Sequence, residues 1–337
     1  MTENANLDFL EITGQSSLKE FYLAEKFQLG SIIVSEKAKI GEFNFEGGKI
    51  ITELQFSNWH SDRLTLQKSS TKFPNKVLLQ NVRLNQLQFI DFHVDSSIQI
   101  YGLSRFGKQD EAFIELTRSS FNRIEFVANQ LESFDFLVFN NSDLTKAFIT
   151  QTNFPYKITA NKNHRDATEV DNQIQSKIFF EQLKTVYLRQ GNNTKSLVFH
   201  ARQLNAYYSL LSWSESFWDK LTLAFNKYST DFGTKWYRGI EFLIYTTLPL
   251  YFLLLISTSH IRIFDWTFSD LSISKVTSNY LTFLTPTTNI TTKWEFLYDL
   301  EGGSLSGDVQ FILFVSKFYI VSVIYQIIQA FRKFGKS

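Results

Sequence analysis

Pairs of apolar residues flanking a single position recur along the first half of this 337-residue chain at a nearly constant distance. They are Phe21/Leu23, Ile32/Val34, Phe43/Phe45, Leu54/Phe56, Leu64/Leu66, Val77/Leu79, Leu87/Phe89, Ile98/Ile100, Ile114/Leu116, Ile124/Phe126 and Phe134/Phe136, and most begin 10 or 11 residues after the one before. Alternation within a pair is the period of a strand, and a fixed distance between pairs is a repeat. A finer beat of five runs beneath it. Of the 21 positions reached by steps of five from Leu54 to Phe154, 14 are apolar, against about nine expected from a 44% apolar composition. Between Val77 and Val94 the residue two earlier is apolar as well (Val77/Leu79, Val82/Leu84, Leu87/Phe89, Phe92/Val94). Residues 1–155 are therefore predicted to form a stack of short parallel strands, each coil burying its apolar edge against its neighbours. Roughly six coils at about 4.8 Å would make a rod on the order of 30 Å long. A β-sandwich of short strands is the alternative.

At Ser142-Asp143-Leu144-Thr145-Lys146 the five-residue register shows a small residue, an acid, a large apolar residue and a hydroxyl. These residues resemble the pentapeptide-repeat family, and the resemblance implies a right-handed β-solenoid whose central residue and the one two before it point inward. Where the inner small position holds Val, Leu or Phe, a wider coil is expected. The segments that interrupt the beat, Ser69–Asn75 and Gly102–Glu111, read as insertions. Lys68, Lys72 and Lys76 near the first form either a small basic patch or a solvated loop.

The pattern changes after Phe154-Pro155, and residues 156–235 read as a helical joint. His164–Asp171 is linker-like. Ile174, Ile178, Phe179, Leu183, Val186 and Tyr187 then fall at helical spacing, Gly191-Asn192-Asn193 makes a turn, and Leu197, Phe199, Leu204, Tyr207, Tyr208 and Leu211 mark a second helix. From Ser214 to Ser229 an aromatic face (Phe217, Trp218, Leu221, Ala224, Phe225, Tyr228) predicts an amphipathic helix, lying in a membrane interface or packed on the helical hairpin.

Residues 236–337 hold two apolar stretches, about 239–258 and 309–330, each with the roughly 20 residues needed to cross about 30 Å of hydrocarbon. Lys220, Lys227, Lys235 and Arg238 precede the first; Arg332, Lys333 and Lys336 follow the second. The loop 259–308 is acidic, so the positive-inside rule puts both termini in the cytoplasm and the loop outside. The N-terminus, Met1 to Gly14, lacks the basic and apolar regions of a cleaved signal. From Phe179 to Lys336 the chain also resembles the C-terminal half of bacterial pentapeptide-repeat membrane proteins, through Phe180-Glu181-Gln182-Leu183-Lys184, Gln190-Gly191-Asn192, Phe199-His200-Ala201-Arg202, Asn226–Trp236 and Ile324–Lys336. That resemblance implies a bacterial inner-membrane location. The lipid bilayer, further copies of the chain and an unidentified protein bound by the solenoid are the expected partners.

A charge within a span costs about 2.5–3.5 kcal/mol on insertion scales and is a functional candidate by default. Lys317, with Ser322, Gln326 and Gln329 on the same helix, is the candidate pore or inter-subunit group. Trp218, Trp236 and Glu241 are candidate interfacial residues, with Trp266 beyond the first span, and Pro249 is expected to kink that span. In an antiparallel hairpin Lys317 falls opposite Pro249, and Glu241 opposite Gln326 and Gln329. The loop holds no T-V-G-Y-G-like filter, which argues against a potassium-selective channel. A net charge of +1 gives no footprint for nucleic acid, and the absence of cysteine rules out disulfides and thiol chemistry. No phosphate loop, H-E-x-x-H or nucleophile elbow occurs, and His60, His93, His164, His200 and His260 are scattered. The reading is a non-enzymatic chain with no cofactor or metal. His200 is read as structural.

Overall fold

The computed structural model describes residues 6–13, 17–23, 28–35, 38–46, 49–67, 75–94, 97–107, 111–121, 123–161, 167–257, 273–286 and 307–334. They form two compact units, Met1–Leu211 and Ser212–Ser337. The helical stretch 156–235 is thereby divided, its first two helices belonging to the first unit and its third to the second.

The first unit is a parallel β-solenoid. One sheet stacks β1 (Asn6–Ile12), β3 (Gln28–Val34), β5 (Lys49–Ser57), β7 (Lys76–Gln80), β10 (Ser97–Tyr101), β14 (Ile124–Val127) and β16 (Phe148–Thr150). The facing sheet stacks β2 (Ser17–Leu23), β4 (Lys39–Glu46), β6 (His60–Gln67), β8 (Arg83–Ile90), β12 (Phe113–Thr117), β15 (Phe136–Asn140) and β17 (Ile158–Thr159), with β11 (Ser104–Arg105) also on β8. A short third ladder joins β9 (His93–Val94) to β13 (Ser120–Phe121). The apolar pairs alternate between the two large sheets. Ile32/Val34, Leu54/Phe56 and Val77/Leu79 line one, Phe43/Phe45, Leu64/Leu66 and Leu87/Phe89 the other, and all are at most 1% exposed. A spacing of 10 or 11 residues is thus half a coil.

In one pair only one residue faces the core: Phe134 joins it and Phe136 does not. In β15 the inward residues are Leu137 and Phe139, whereas Phe136 points outward and stacks on Phe113 at 5.3 Å. The strand could take either register by apolar content, because Phe134 and Phe136 are as apolar as Leu137 and Phe139.

Gly102–Glu111 does carry an insertion. Arg83 faces Ser104, a step of 21 residues, while Gln86 faces Phe113, a step of 27. Phe106, at its start, stacks on His60 at 4.9 Å. Of the other interruption, residues 68–74 lie outside the described residues, as do Lys68 and Lys72; Lys76 pairs with Glu53 at 2.8 Å.

The corners follow a rule that the sequence shows in part. Asn58, Asn81, Gly102, Ala128 and Gln151 all have positive φ, as do Asp91, Arg118 and Asn141 at a second corner. A left-handed residue reverses the chain, and the next side chain turns inward: Trp59, Val82, Leu103, Asn129 and Thr152 at the first corner, Phe92, Ser119 and Ser142 at the second, all buried. At Gly102 a Cβ would lie 2.6 Å from Asn81 Oδ1, so any larger residue would require the Asn81 side chain to shift. Early coils fill these inner corners with large apolar groups and late coils with small polar ones. The polar ones are satisfied between coils: Leu103 N–H donates to Asn129 Oδ1 (2.7 Å), Phe92 N–H to Ser119 Oγ (3.1 Å) and Ser119 N–H to Ser142 Oγ (3.0 Å). The coil at Ser142-Asp143-Leu144 is where the sequence comes nearest to a small inner residue.

Two helices close the late end. α1 (Glu169–Arg189) starts from a capping box formed by Thr168 and Asp171, and α2 (Asn193–Leu210) from the Asn192 side chain. Phe179, Leu183, Val186 and Tyr187 of α1 join the solenoid core, Phe179 packing on Phe139 at 5.1 Å. Strand edges left open by the last coil are met by two glutamine amides. Gln182 accepts from Leu144 N–H (2.8 Å) and donates to the Ser142 carbonyl (2.9 Å). Gln190 donates to the Ile149 carbonyl (2.9 Å) and accepts from its N–H (2.8 Å). Each amide thus copies the donor-acceptor face of a further strand.

The second unit contains α3 (Phe217–Thr230), α4 (Trp236–Ser257), α5 (Ile273–Leu284) and α6 (Gly307–Phe334). Helices α4 and α6 are long and apolar enough to cross a membrane, and only 28% and 22% of their most apolar windows are buried inside the protein. They run antiparallel: as α4 advances through Trp236, Gly239 and Thr246, its partners on α6 recede through Phe331, Ile327 and Tyr319. Pro249 sits within a continuous α4 and cannot donate to the Tyr245 carbonyl. Helix α3 lays Phe225 against Phe242 (5.9 Å) and Tyr319 (6.1 Å). The segment 259–308, expected as a loop, contains the helix α5; most of the rest of it, with Trp266 and His260, lies outside the described residues.

Candidate functional site

The polar groups of the second unit converge where α5 meets the two long helices. Thr247 is the middle residue of α4, and its hydroxyl lies 2.8 Å from the Tyr280 hydroxyl of α5. Tyr251, one turn on, packs on Tyr280 (5.4 Å) and Phe283 (5.5 Å). From α6, the Lys317 ammonium donates to the Phe283 carbonyl at 3.1 Å and to the Thr285 carbonyl. Two residues on, about half a turn of α6 away, Tyr319 donates its hydroxyl to Thr246 Oγ1 (2.8 Å). Thr247 and Phe283 are wholly buried.

This geometry has a simple cause. The last carbonyls of any helix lack intrahelical donors, and a cation at the C-terminus complements both their lone pairs and the helix dipole. Lys317 supplies such a donor, at the end of a helix from a different part of the chain.

The other candidates are placed as follows. Ser322 hydrogen-bonds back to the Phe318 carbonyl (2.9 Å) and Gln329 to the Tyr325 hydroxyl (2.7 Å), both within α6. With Gln326 they are half-buried, flanking the face of α6 that Val323 and Ala330 bury. Trp218 is 76% exposed on α3. Trp236 stacks on Phe331 at 4.5 Å, and Glu241 is exposed one turn into α4. Lys317 is therefore not brought together with Ser322, Gln326 or Gln329. Sequence reasoning missed Tyr280, Thr247, Phe283 and Thr285. The signal available was the lysine itself, which needs acceptors, and Asn279-Tyr280-Leu281-Thr282-Phe283-Leu284, a stretch of the loop with aromatic residues at helical spacing.

In the first unit the densest buried polar group is a ladder on the outer side of one sheet: Thr65 donates to Gln88 (2.9 Å), and Gln88 (3.0 Å) and Thr117 (3.0 Å) donate to the Glu115 carboxylate. It is satisfied internally. The hydroxyl of Tyr187 meets the Thr152 carbonyl at 3.4 Å, and burial pushes its pKa up to about 12. His200 lies 3.3 Å from Gln203. Among the described residues no cluster of His, Asp or Glu could hold a metal ion.

The chain matches no known family model, no characterised protein and no solved structure.

Proposed function

We propose that this is a non-enzymatic membrane protein, a pentapeptide-repeat-like solenoid held at the bacterial inner membrane by α4 and α6 with both termini in the cytoplasm. The observation that carries the reading is the apolar face the second unit leaves uncovered: Tyr245, Phe252, Phe311, Phe314 and Phe318 are each more than half exposed. In water so large a patch drives association, whereas in lipid it needs no cover. The solenoid supplies surface without chemistry, so its role is recognition of a protein partner, and copies assemble through the membrane helices. Carbonate extraction of membranes tests the anchor, and mass determination in mild detergent tests the assembly. A chain released by carbonate sinks the first; a monomer sinks the second.

A second reading is an oligomeric, non-selective pore governed by the solenoid. One observation favours it: α5, a short helix between two long ones, ends beside both of them at mid-height. Ion flux from proteoliposomes tests it, and no flux from any assembled state would end it.

A further inference from the structure

We propose that α5 is a re-entrant half-helix, a third membrane-embedded segment whose C-terminus stops at mid-membrane because the Lys317 ammonium caps it there. The inference rests on the membrane reading of α4 and α6 and adds to it. Thr247 is eleven residues past Trp236, about 16 Å along α4 at 1.5 Å per residue, and Lys317 is ten residues past Gly307, about 15 Å along α6. Both depths fall near the middle of about 30 Å of hydrocarbon. Tyr280 is bonded to the first and the Phe283 and Thr285 carbonyls to the second, so the last turn of α5 lies within a side chain's reach, about one helical turn, of that depth.

Because α4 and α6 are antiparallel, Ser257 and Gly307 stand at the same end of the hairpin. The chain therefore leaves one face with α4, comes near mid-depth at the C-terminus of α5 and starts α6 from the same face. Twelve residues, about 18 Å of helix, cannot cross. The 22 residues from Thr285 to Gly307 are ample for the return, since an extended chain covers about 3.3 Å per residue.

A half-helix ending in hydrocarbon meets a specific difficulty. Its terminal carbonyls have neither water nor a further turn, and irregular backbone at that depth persists only where protein satisfies it. Lys317 donates to two of them. The same contact accounts for a lysine in the middle of an apolar helix, so each otherwise costly feature supplies what the other lacks.

The absence of cysteine makes the chain its own background for accessibility labelling. Single cysteines at Leu281→Cys and Thr285→Cys would be exposed to a membrane-impermeant maleimide on both faces of proteoliposomes, with labelling in SDS as the full scale. The expected extent is below a tenth of full scale with Lys317 present, unchanged in Lys317→Arg, and raised severalfold at Thr285→Cys by Lys317→Met. Labelling of both cysteines to the SDS extent with Lys317 intact would overturn the proposal. Carbonate extraction of the same proteoliposomes separates the two levels. A released chain defeats the membrane reading, whereas a retained but freely labelled chain defeats only the half-helix.

Discussion

Among the described residues, the late end of the solenoid and the end of α5 are both places where regular backbone hydrogen bonding stops against the protein, and they are closed by different chemistry. At the late end of the solenoid, the last coil presents strand edges, with N–H and C=O groups side by side. Gln182 and Gln190 meet them with neutral amides that donate and accept at once. At the end of α5 only carbonyls are left over, and the group that meets them is donor-only and charged. The leftover backbone thus dictates the type of stopper. Surroundings differ too: Gln182 and Gln190 are half-buried among strand edges, and Lys317 reaches between the wholly buried Phe283 and the exposed Thr285.

That contrast can be broken most directly at Lys317. Lys317→Met removes the charged donor from the Phe283 and Thr285 carbonyls, about 1.5–3 kcal/mol for a hydrogen bond to a charged group, and should lower the unfolding temperature in detergent by several degrees, with Lys317→Arg close to the parent. An unchanged transition in Lys317→Met would remove the cap from the comparison. The solenoid side is probed by Gln182→Leu/Gln190→Leu. Water reaches this end, so the expected loss is smaller, and the sharper readout is hydrogen exchange: the amides of Leu144 and Ile149 should exchange at least tenfold faster while α4 and α6 are unaffected. Next comes Asn129→Leu, which deprives the Leu103 N–H of its acceptor inside the stack and should cost about 1–3 kcal/mol in a denaturant titration. An Asn129→Leu chain as stable as the parent would show that the polar inner corners can be exchanged for the apolar ones of the early coils.

The smallest effect is confined to alkaline pH. Burial holds the Tyr187 hydroxyl protonated to about pH 12, against about 10 for a free tyrosine. The folded state binds this proton more tightly, so its contribution is complete below pH 10 and is lost as pH rises from 10 towards 12. Tyr187→Phe should match the parent's pH dependence below 10 and lose the decline above it, read as unfolding midpoints across pH 8–12.

Much of the architecture was legible because inward residues repeat. The spacing of Ile32/Val34, Phe43/Phe45 and Leu54/Phe56 is the half-coil itself, and Gly191 and Asn192 mark a helix boundary by local rules, whereas the Thr168 cap and the start of α1 fell within the stretch read as a linker. Helices α4 and α6 were equally plain, since length and apolarity are properties of a single segment. Register was less legible where apolar residues crowd, as at Phe134–Phe139. The left-handed corners were legible in part: Asn58, Asn81, Asp91, Gly102 and Asn141 favour positive φ, whereas Arg118, Ala128 and Gln151 have no such preference and the stacked coils impose it.

What the chain determined by itself is therefore what short-range pattern can encode: coils, caps, two long apolar helices and a lysine in one of them. Only the tertiary structure decided what that lysine is for. Its acceptors lie 32 and 34 residues away in sequence, on the end of α5. They are backbone carbonyls, which every residue possesses, so no side-chain pattern announces them. A free carbonyl becomes a site only when a helix ends beside a donor that has no water, and that coincidence belongs to the fold.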